Sequence, residues 1–183
     1  MPNRFHELHI AGCIRQLPIL NLSETEAIAA FVMLGDVELT EACAKALLPM
    51  VPKETEILMT AETKGIPLAA SLSRLLGFDW YITARKSVKA YMENPLCVED
   101  ESITTKGKQR LFLTDADVAH IRGRHVLLLD DVISRGGSMK ALRGLAEAAG
   151  GIVVGEAAAI AEGAASKRTD IIFLASIPLF KAE

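Results

Sequence analysis

The sequence has few of the features that mark secreted, membrane or metal-binding proteins. Its three cysteines are odd in number and lack the pair spacing of metal ligands, so we expect reduced thiols. No apolar run approaches the roughly 20 residues of a membrane span. Residues 1–20 also lack the basic start and long apolar stretch of a signal peptide. These absences predict a cytoplasmic chain that does not enter a membrane.

An excess of basic charge is also missing. Lysine and arginine number 20 against 23 acidic residues, and the net charge of −3 argues against a general nucleic-acid surface. Half of the 183 residues are hydrophobic, which is enough for a sizeable core. This length favours a single α/β domain over 1–183, with neither repeats nor low-complexity segments. Any basic site is therefore expected to be local.

The most informative stretch runs from His125 to Met139. Its apolar run Val126–Leu129 is typical of a strand covered on both faces, and we expect the strand to stop at Asp130 and Asp131. A short loop follows, in which two glycines let backbone N–H groups converge on an anion. Its residues are Ser134, Arg135, Gly136, Gly137 and Ser138. Apolar residues at helical spacing follow this loop, so it lies at a helix N-terminus that favours a phosphate.

The order of acidic residues and glycines points to a class of ligand. Carboxylates accept hydrogen bonds from hydroxyls, so an Asp-Asp pair beside a phosphate loop suits vicinal hydroxyls next to a phosphate, as in ribose 5-phosphate. A dinucleotide-binding fold is one alternative, but its fingerprint places three spaced glycines before the helix and the acidic residue on a later strand. The other alternative is an ordinary strand, turn and helix with a solvated acidic turn.

The stretch resembles the phosphoribosyl pyrophosphate (PRPP) motif of type I phosphoribosyltransferases, in which a strand, Asp-Asp and a Gly-Gly-Ser loop follow one another. Arg135 departs from the family, which usually has a small residue there; it either adds charge to the 5′-phosphate site or points to solvent. The resemblance implies a Rossmann-like α/β fold with a mostly parallel twisted sheet and helices on both faces. It also implies a small N-terminal hood, here residues 1–22.

Two other strand ends fit the same ligand. The run Ile57–Met59 predicts a strand, and the loop after it comes before a helix; in the family this loop binds pyrophosphate. The candidate ligands there are Glu62, Thr63, Lys64 and Gly65. A strand at Trp80–Thr83 precedes three cations, Arg85, Lys86 and Lys89, which would neutralise a pyrophosphate leaving group. The carboxyl ends of parallel strands share one edge, so we expect these loops to meet.

The segment from Ser87 to Lys108 has no regular period and is expected to form a mobile lid. It falls where the family has its flexible catalytic loop, with Lys106 and Lys108 as candidate PRPP ligands. The adenine enzymes have a glutamate in this loop. The nearest positions here are Thr104 and Thr105, so Thr105 is the candidate catalytic residue and the identity of the base stays open.

The two ends of the chain supply the candidate base contacts. Ser23–Glu26 has the Ser-x-x-Glu spacing of a capping box, which predicts a short helix to about Met33. Leu39 to Met50 predicts a second helix. Arg15 and Leu17 in the hood, with Phe180 near the C-terminus, are the candidate contacts to the base.

We therefore expect a purine phosphoribosyltransferase with adenine as the favoured acceptor. Asp130 and Asp131 would hold the ribose hydroxyls, and Asp131 is the candidate for proton transfer at the base. The resemblance also implies a homodimer and Mg²⁺, which PRPP would hold with no direct protein ligand. The alternatives are another base, such as xanthine or guanine, and a non-catalytic PRPP sensor. The first fifty residues lack the concentrated basic face of a DNA-binding helix-turn-helix.

Overall fold

The structure is a computed structural model that describes residues 4–98 and 110–182. The strands are β1 (Phe5–Ile10), β2 (Cys13–Asn21), β3 (Glu26–Ala29), β4 (Ile57–Ala61), β5 (Tyr81–Ala84), β6 (Leu96–Val98), β7 (Leu111–Leu113), β8 (His125–Ile133), β9 (Ile152–Glu162), β10 (Ile172–Ile177) and β11 (Phe180–Lys181). The helices are α1 (Val37–Leu47), α2 (Ile66–Leu76), α3 (Asp115–Ile121) and α4 (Gly137–Ala148), with 3₁₀ turns at Leu48–Met50 and Gly163–Lys167.

A five-stranded parallel sheet forms the centre of the fold, in the order β10-β9-β8-β4-β5. β8 lies in the middle of this sheet, and its run Val126–Leu129 is completely buried. A parallel strand in that position is covered on both faces, which is why its sequence is continuously apolar. The carboxyl ends of all five strands lie at the same edge of the sheet.

Helices cover both faces of the sheet, as the sequence predicted. α1 and α2 pack on one face together with Leu127 and Leu129 of β8. α4 and the end of α3 pack on the opposite face, against Val126 and Leu128. Each helix buries an apolar stripe against the sheet and leaves its polar side to solvent. Among the described residues, no helix combines the length and the apolar character needed to cross a membrane.

A second, antiparallel sheet in the order β1-β2-β3-β11 forms the hood. It reaches beyond residues 1–22, because it takes in β3 and the C-terminal β11. The helix predicted from Ser23 to Met33 was wrong: Ser23 Oγ does accept a hydrogen bond from the Glu26 backbone N–H, but this bond closes a turn into β3. Alternate residues Ala27 and Ala29 are buried, which fits a strand with a partner on each side.

Two segments are more regular than the sequence predicted. β8 does not stop at the two aspartates but continues to Ile133, because Val132 and Ile133 still pair with β9. The segment expected to be an irregular lid contains β6, which pairs antiparallel with β7. Lid positions 99–108, including Thr104, Thr105, Lys106 and Lys108, lie outside the described residues.

Candidate functional site

Asp130 and Asp131 lie near the carboxyl end of β8, at the edge of the central sheet. Asp131 is 2% exposed, and Lys64 Nζ lies 2.7 Å from its Oδ2 atom. This is an ion pair without hydrogen-bond geometry, so the buried Oδ2 atom lacks a hydrogen-bond donor among the described residues. The backbone N–H of Asp131 donates to Asp130 Oδ1 at 2.9 Å. The two neighbouring carboxylates thus have different partners: an ammonium group for Asp131 and a backbone N–H for Asp130.

The environment of Asp130 disfavours its charged form. Burial, followed by the negative charge of Asp131, raises the pKa of the Asp130 carboxyl to about 7. Lys64 acts in the opposite direction, but more weakly. Near neutral pH the free protein thus has a carboxyl group that is partly protonated beside one that Lys64 neutralises. A ligand that donates a hydroxyl hydrogen bond to Asp130 would favour its ionised form.

The loop from Glu62 to Gly65 approaches Asp130 closely. A Cβ atom on Gly65 would overlap the hydroxyl oxygen of Thr60 and lie 3.2 Å from Asp130 Oδ1. Glycine is therefore required by space, since the φ angle of Gly65 is −74° and suits any residue. The peptide bond between Glu62 and Thr63 is cis. The cleft beside this loop has a volume of about 260 Å³ and is lined mainly by Glu62, Thr63, Lys64, Lys86, Asp130 and Asp131.

Glu62 joins two of the predicted loops. Its carboxylate accepts hydrogen bonds from the backbone N–H of Lys86 at 2.9 Å and from Arg85 Nη1 at 3.2 Å. Lys89 Nζ lies 3.5 Å from the same carboxylate. The Lys86 N–H is the main cause of a lowered pKa for Glu62. The structure thus brings the three predicted cations to the loop after β4, with Glu62 as the group that binds them together.

The glycine loop lies at the start of α4, as predicted. Gly136 is the N-cap residue, with φ of +80°, and the side chain of no described residue caps the helix. Its Cβ position is open, with Arg168 Nη1 the nearest atom at 3.7 Å, and nothing lies within 4 Å of a Cβ on Gly137. The described residues therefore leave space around both glycines. The left-handed backbone conformation is the reason for glycine at 136.

Of the two orientations that the sequence left open, Arg135 takes the one that points to solvent. Its Nη2 atom donates to Glu26 Oε2 of β3 at 2.6 Å, while the side chain as a whole is 80% exposed. The glycine loop is thereby connected to the hood. Charge for a phosphate in this loop would have to come from another residue.

The three candidate base contacts do not line the cleft beside the aspartates. Arg15 binds Asp36 through Nε and Nη2, at 2.7 and 3.0 Å, and also binds Glu38. It therefore supports the N-terminus of α1, where Asp36 is the capping residue. Leu17 is buried in the hood core. The ring of Phe180 packs against His6, with centroids 5.4 Å apart.

Sequence reasoning missed two residues beside the predicted loops. Thr60 is fully buried next to Gly65, and its hydroxyl has no hydrogen-bond partner among the described residues. Arg168 adjoins Gly136. A signal for Arg168 existed, because Lys167 and Arg168 form a pair of neighbouring cations, as Arg85 and Lys86 do. A buried threonine within a strand gives no such signal.

Known proteins of one family are similar to this chain. A family model described as phosphoribosyl transferase domain matches residues 40–178. A hypoxanthine/guanine phosphoribosyltransferase of Methanothermococcus okinawensis is 30% identical over 119 residues, which are 65% of this chain and 61% of that protein. An adenine phosphoribosyltransferase of Rhodococcus opacus is 31% identical over 119 residues, 65% of this chain and 60% of that protein. The chain thus spans about three fifths of the length of these curated relatives.

Solved structures with the same fold were also found. The adenine phosphoribosyltransferase of Rhodothermus marinus is 27% identical, with a TM-score of 0.62, and the match covers 78% of this chain and 81% of that one. The adenine phosphoribosyltransferase of Thermoanaerobacter pseudethanolicus is 23% identical, with a TM-score of 0.65, over 79% of this chain and 83% of that one. The second match concerns the fold alone.

The close approach of Gly65 to Asp130 leads to a prediction about stability. In Gly65→Ala the new methyl group has to displace Thr60 or Asp130, so we expect the free energy of unfolding to fall by about 1–3 kcal/mol. Gly144→Ala is the matched control. Gly144 lies within α4, and its Cβ would make an ordinary contact with Val98 of β6 at 3.6 Å. The control should be stabilised by up to about 1 kcal/mol. Urea unfolding measures both, and equal stability of Gly65→Ala and the wild type would contradict the packing described.

The raised pKa of Asp130 predicts how stability depends on pH. The folded protein retains a proton on Asp130 that the unfolded chain loses, from the ordinary pKa of 3.8 up to about 7. This group therefore stabilises the folded protein fully below pH 3.8. Its contribution to the free energy of unfolding falls as pH rises from there through about 7, and it is lost above that pH. Asp130→Asn removes this dependence, so the variant should gain stability relative to wild type between pH 5 and 8.

Urea unfolding at several pH values tests this prediction. The control is Asp36→Asn, because Arg15 is the first cause of a lowered pKa for the Asp36 carboxyl. That group is ionised in both states above pH 5, so the difference between Asp36→Asn and wild type should be flat from pH 5 to 8. A flat difference for Asp130→Asn as well would show that burial does not retain the proton.

Proposed function

Because the chain belongs to the phosphoribosyl transferase domain family, we propose that it transfers the 5-phosphoribosyl group of PRPP to a nitrogen of a purine base and releases pyrophosphate. One observation carries this proposal. The Asp130–Asp131 pair lies between a helix N-terminus that no described side chain caps and a loop that bears cations, all at one edge of the sheet. This order matches a sugar with a phosphate at one end and a pyrophosphate at the other.

Each part of PRPP has a proposed binding element. The backbone N–H groups of Ser134 to Ser138 would donate to the 5′-phosphate. Asp130 and Asp131 would accept hydrogen bonds from the two ribose hydroxyls, which favours release of the proton from Asp130. Lys64 and Lys86, which both line the cleft, would donate to the pyrophosphate.

In the proposed reaction the bond between ribose C1 and the pyrophosphate oxygen breaks, and a bond from C1 to the base nitrogen forms. The ribose gains oxocarbenium character, and the pyrophosphate leaves with the bonding electrons. Cations fixed near the leaving oxygens stabilise the charge that develops there. Glu62 serves this step indirectly, because it holds Arg85 and the Lys86 backbone in place before substrate arrives. The proton of the base nitrogen has Asp131 as its candidate acceptor.

The residues at the cleft fit a Mg²⁺ ion that arrives with the substrate. Among residues 4–98 and 110–182, no group of three or more acidic, histidine or cysteine side chains forms a cation site. Mg²⁺ usually takes one or two carboxylates and completes its shell with waters and substrate phosphates. At this cleft the buried Asp131 Oδ2 atom is already paired with Lys64 Nζ at 2.7 Å, so the substrate phosphates would hold the ion without a direct protein ligand. The ion would neutralise charge on the pyrophosphate.

Adenine is the first candidate for the acceptor base. The adenine phosphoribosyltransferases of Rhodothermus marinus and Rhodococcus opacus, at 27% and 31% identity, support it. The chain departs from the adenine enzymes at Thr104 and Thr105, where they have a glutamate.

A 6-oxopurine is the second candidate, and one side chain favours it. The side-chain carboxylate of Glu162, half-buried at the end of β9, has no hydrogen bond or ion pair with the residues that the structure describes. Its neighbour Ala161 pairs with Ile133, so Glu162 lies beside the start of the glycine loop. A carboxylate accepts hydrogen bonds from the ring N1–H and 2-amino group of guanine, a pattern that adenine lacks. The relative from Methanothermococcus okinawensis, named for hypoxanthine and guanine, agrees with this candidate.

An assay of base use tests the proposed function. The protein is incubated with PRPP and Mg²⁺, and adenine, guanine, hypoxanthine, xanthine, uracil and orotate are offered separately. We expect a nucleoside monophosphate and pyrophosphate in equal amounts from at least one purine, and no product from the Asp130→Asn, Asp131→Asn double variant. Tight PRPP binding without turnover of any base would contradict the enzyme and support the sensor.

The left-handed conformation of Gly136 leads to a kinetic prediction. Gly136→Ala strains the loop backbone by about 1–2 kcal/mol, so we expect the KM for PRPP to rise about tenfold because the N–H groups no longer converge. Gly77→Ala is the matched control, since Gly77 ends α2 with φ of +75° and has open space around it. The control should lose similar stability with an unchanged KM. An equal KM for both variants would contradict the assignment of the phosphate loop.

The homodimer and the cytoplasmic location inferred from the resemblance and the sequence remain predictions. Val88 lies within the segment Arg85–Lys89 and Tyr91 just after it. Their side chains are 54% and 63% exposed, which agrees with an apolar contact to a second copy. Light scattering coupled to size-exclusion chromatography measures the mass, and a monomer of 19.7 kDa would contradict the dimer.

A further inference from the structure

Arg168 is held rigidly at the edge of the sheet that carries the aspartates. It follows the 3₁₀ turn after β9, and it donates from Nε to Asp170 Oδ1 at 2.9 Å. Its Nη2 atom donates to Asp170 Oδ2 at 2.6 Å and to Glu156 Oε2 at 3.0 Å. Two of the three guanidinium nitrogens are thus used in bonds to carboxylates. These bonds leave Nη1 to face another group.

Glu156 gives Arg168 a fixed support. Its side chain lies within β9 and is 8% exposed, so its charge requires partners inside the protein. Arg143 of α4 supplies one pair of hydrogen bonds, at 2.9 and 3.2 Å, and Arg168 supplies the third. The two arginines thus share one buried carboxylate, although Arg143 belongs to α4 and Arg168 follows the 3₁₀ turn after β9.

The remaining nitrogen of Arg168 borders the glycine loop. Its Nη1 atom lies 3.7 Å from the position that a Cβ atom on Gly136 would take. Gly136 is the N-cap of α4, where backbone N–H groups lack a side-chain acceptor among the described residues. A guanidinium and free N–H groups at one place form a site for an anion with several oxygens, because both are donors.

We propose that Arg168 binds the phosphate in the Ser134–Ser138 loop through Nη1, with Glu156 and Asp170 as its positioning residues. This rests on the proposed function, in which that loop takes the 5′-phosphate of PRPP. Arg168 thereby supplies a donor beside the loop through Nη1, whereas the guanidinium of Arg135 is directed to Glu26 of the hood. The arrangement of Arg168 exists before ligand binds, so little side-chain entropy is lost on binding.

Calorimetry on the full chain tests the proposal with two separate probes. Ribose 5-phosphate reports on the glycine loop, and pyrophosphate with Mg²⁺ reports on the loops after β4 and β5. For Arg168→Gln we expect the affinity for ribose 5-phosphate to fall about 10- to 100-fold, the range for loss of a charge-assisted hydrogen bond. The affinity for pyrophosphate should stay within a factor of about two, and Arg168→Lys should recover part of the loss because it restores the charge.

Arg143→Gln is the matched control, because it also removes a partner of Glu156 but lies two turns along α4 from the loop. We expect Arg143→Gln to lower the melting temperature at least as much as Arg168→Gln, with unchanged affinity for ribose 5-phosphate. Equal loss of affinity in both variants, or none in Arg168→Gln, would overturn the role of Arg168. A wild-type protein that binds pyrophosphate but not ribose 5-phosphate would instead remove the proposed function, and this inference with it.

Discussion

Repulsion between Asp130 and Asp131, two neighbouring carboxylates near the end of a buried strand, is the constraint on which the site depends. The protein separates their charges by two means. Lys64 pairs with Asp131, and burial keeps a proton on Asp130 up to a pKa of about 7. Gly65 has no side chain because the loop that carries Lys64 has to pass close to Asp130. A ligand with two hydroxyls would relieve the repulsion by donating to both carboxylates.

Cations in the loops at this end of the sheet are paired with carboxylates of other elements. Glu62 holds Arg85 and the backbone of Lys86, Glu156 holds Arg168, and Glu26 of the hood holds Arg135. Donors that are fixed before an anion arrives lose less entropy on binding and need less reorganisation during reaction. These bonds connect the hood with the glycine loop, and the loop after β4 with the loop after β5.

The parts of the fold that follow from local pattern were predictable from sequence. The apolar run of β8 identified a parallel central strand, and the glycines after it identified the start of α4. Partners distant in sequence decided the rest. Ser23 makes the bond of a helix cap, yet pairing with β2 and β11 turns that segment into a strand. The role of Arg135 depends on Glu26, 109 residues away, and that of Arg168 on contact with Gly136. The spacing of residues along the sequence does not identify such distant pairs.

The most direct test of this account is the titration of the Asp130 side-chain carboxyl by ¹³C NMR, with Asp130→Asn used to assign the signal. In the free protein we expect a midpoint near pH 7. With ribose 5-phosphate bound, the midpoint should move well below 7, because hydroxyl donors favour the carboxylate. A midpoint near the ordinary value of 3.8 in the free protein, or one that ribose 5-phosphate does not move, would contradict the assignment of Asp130 as the sugar-binding carboxylate.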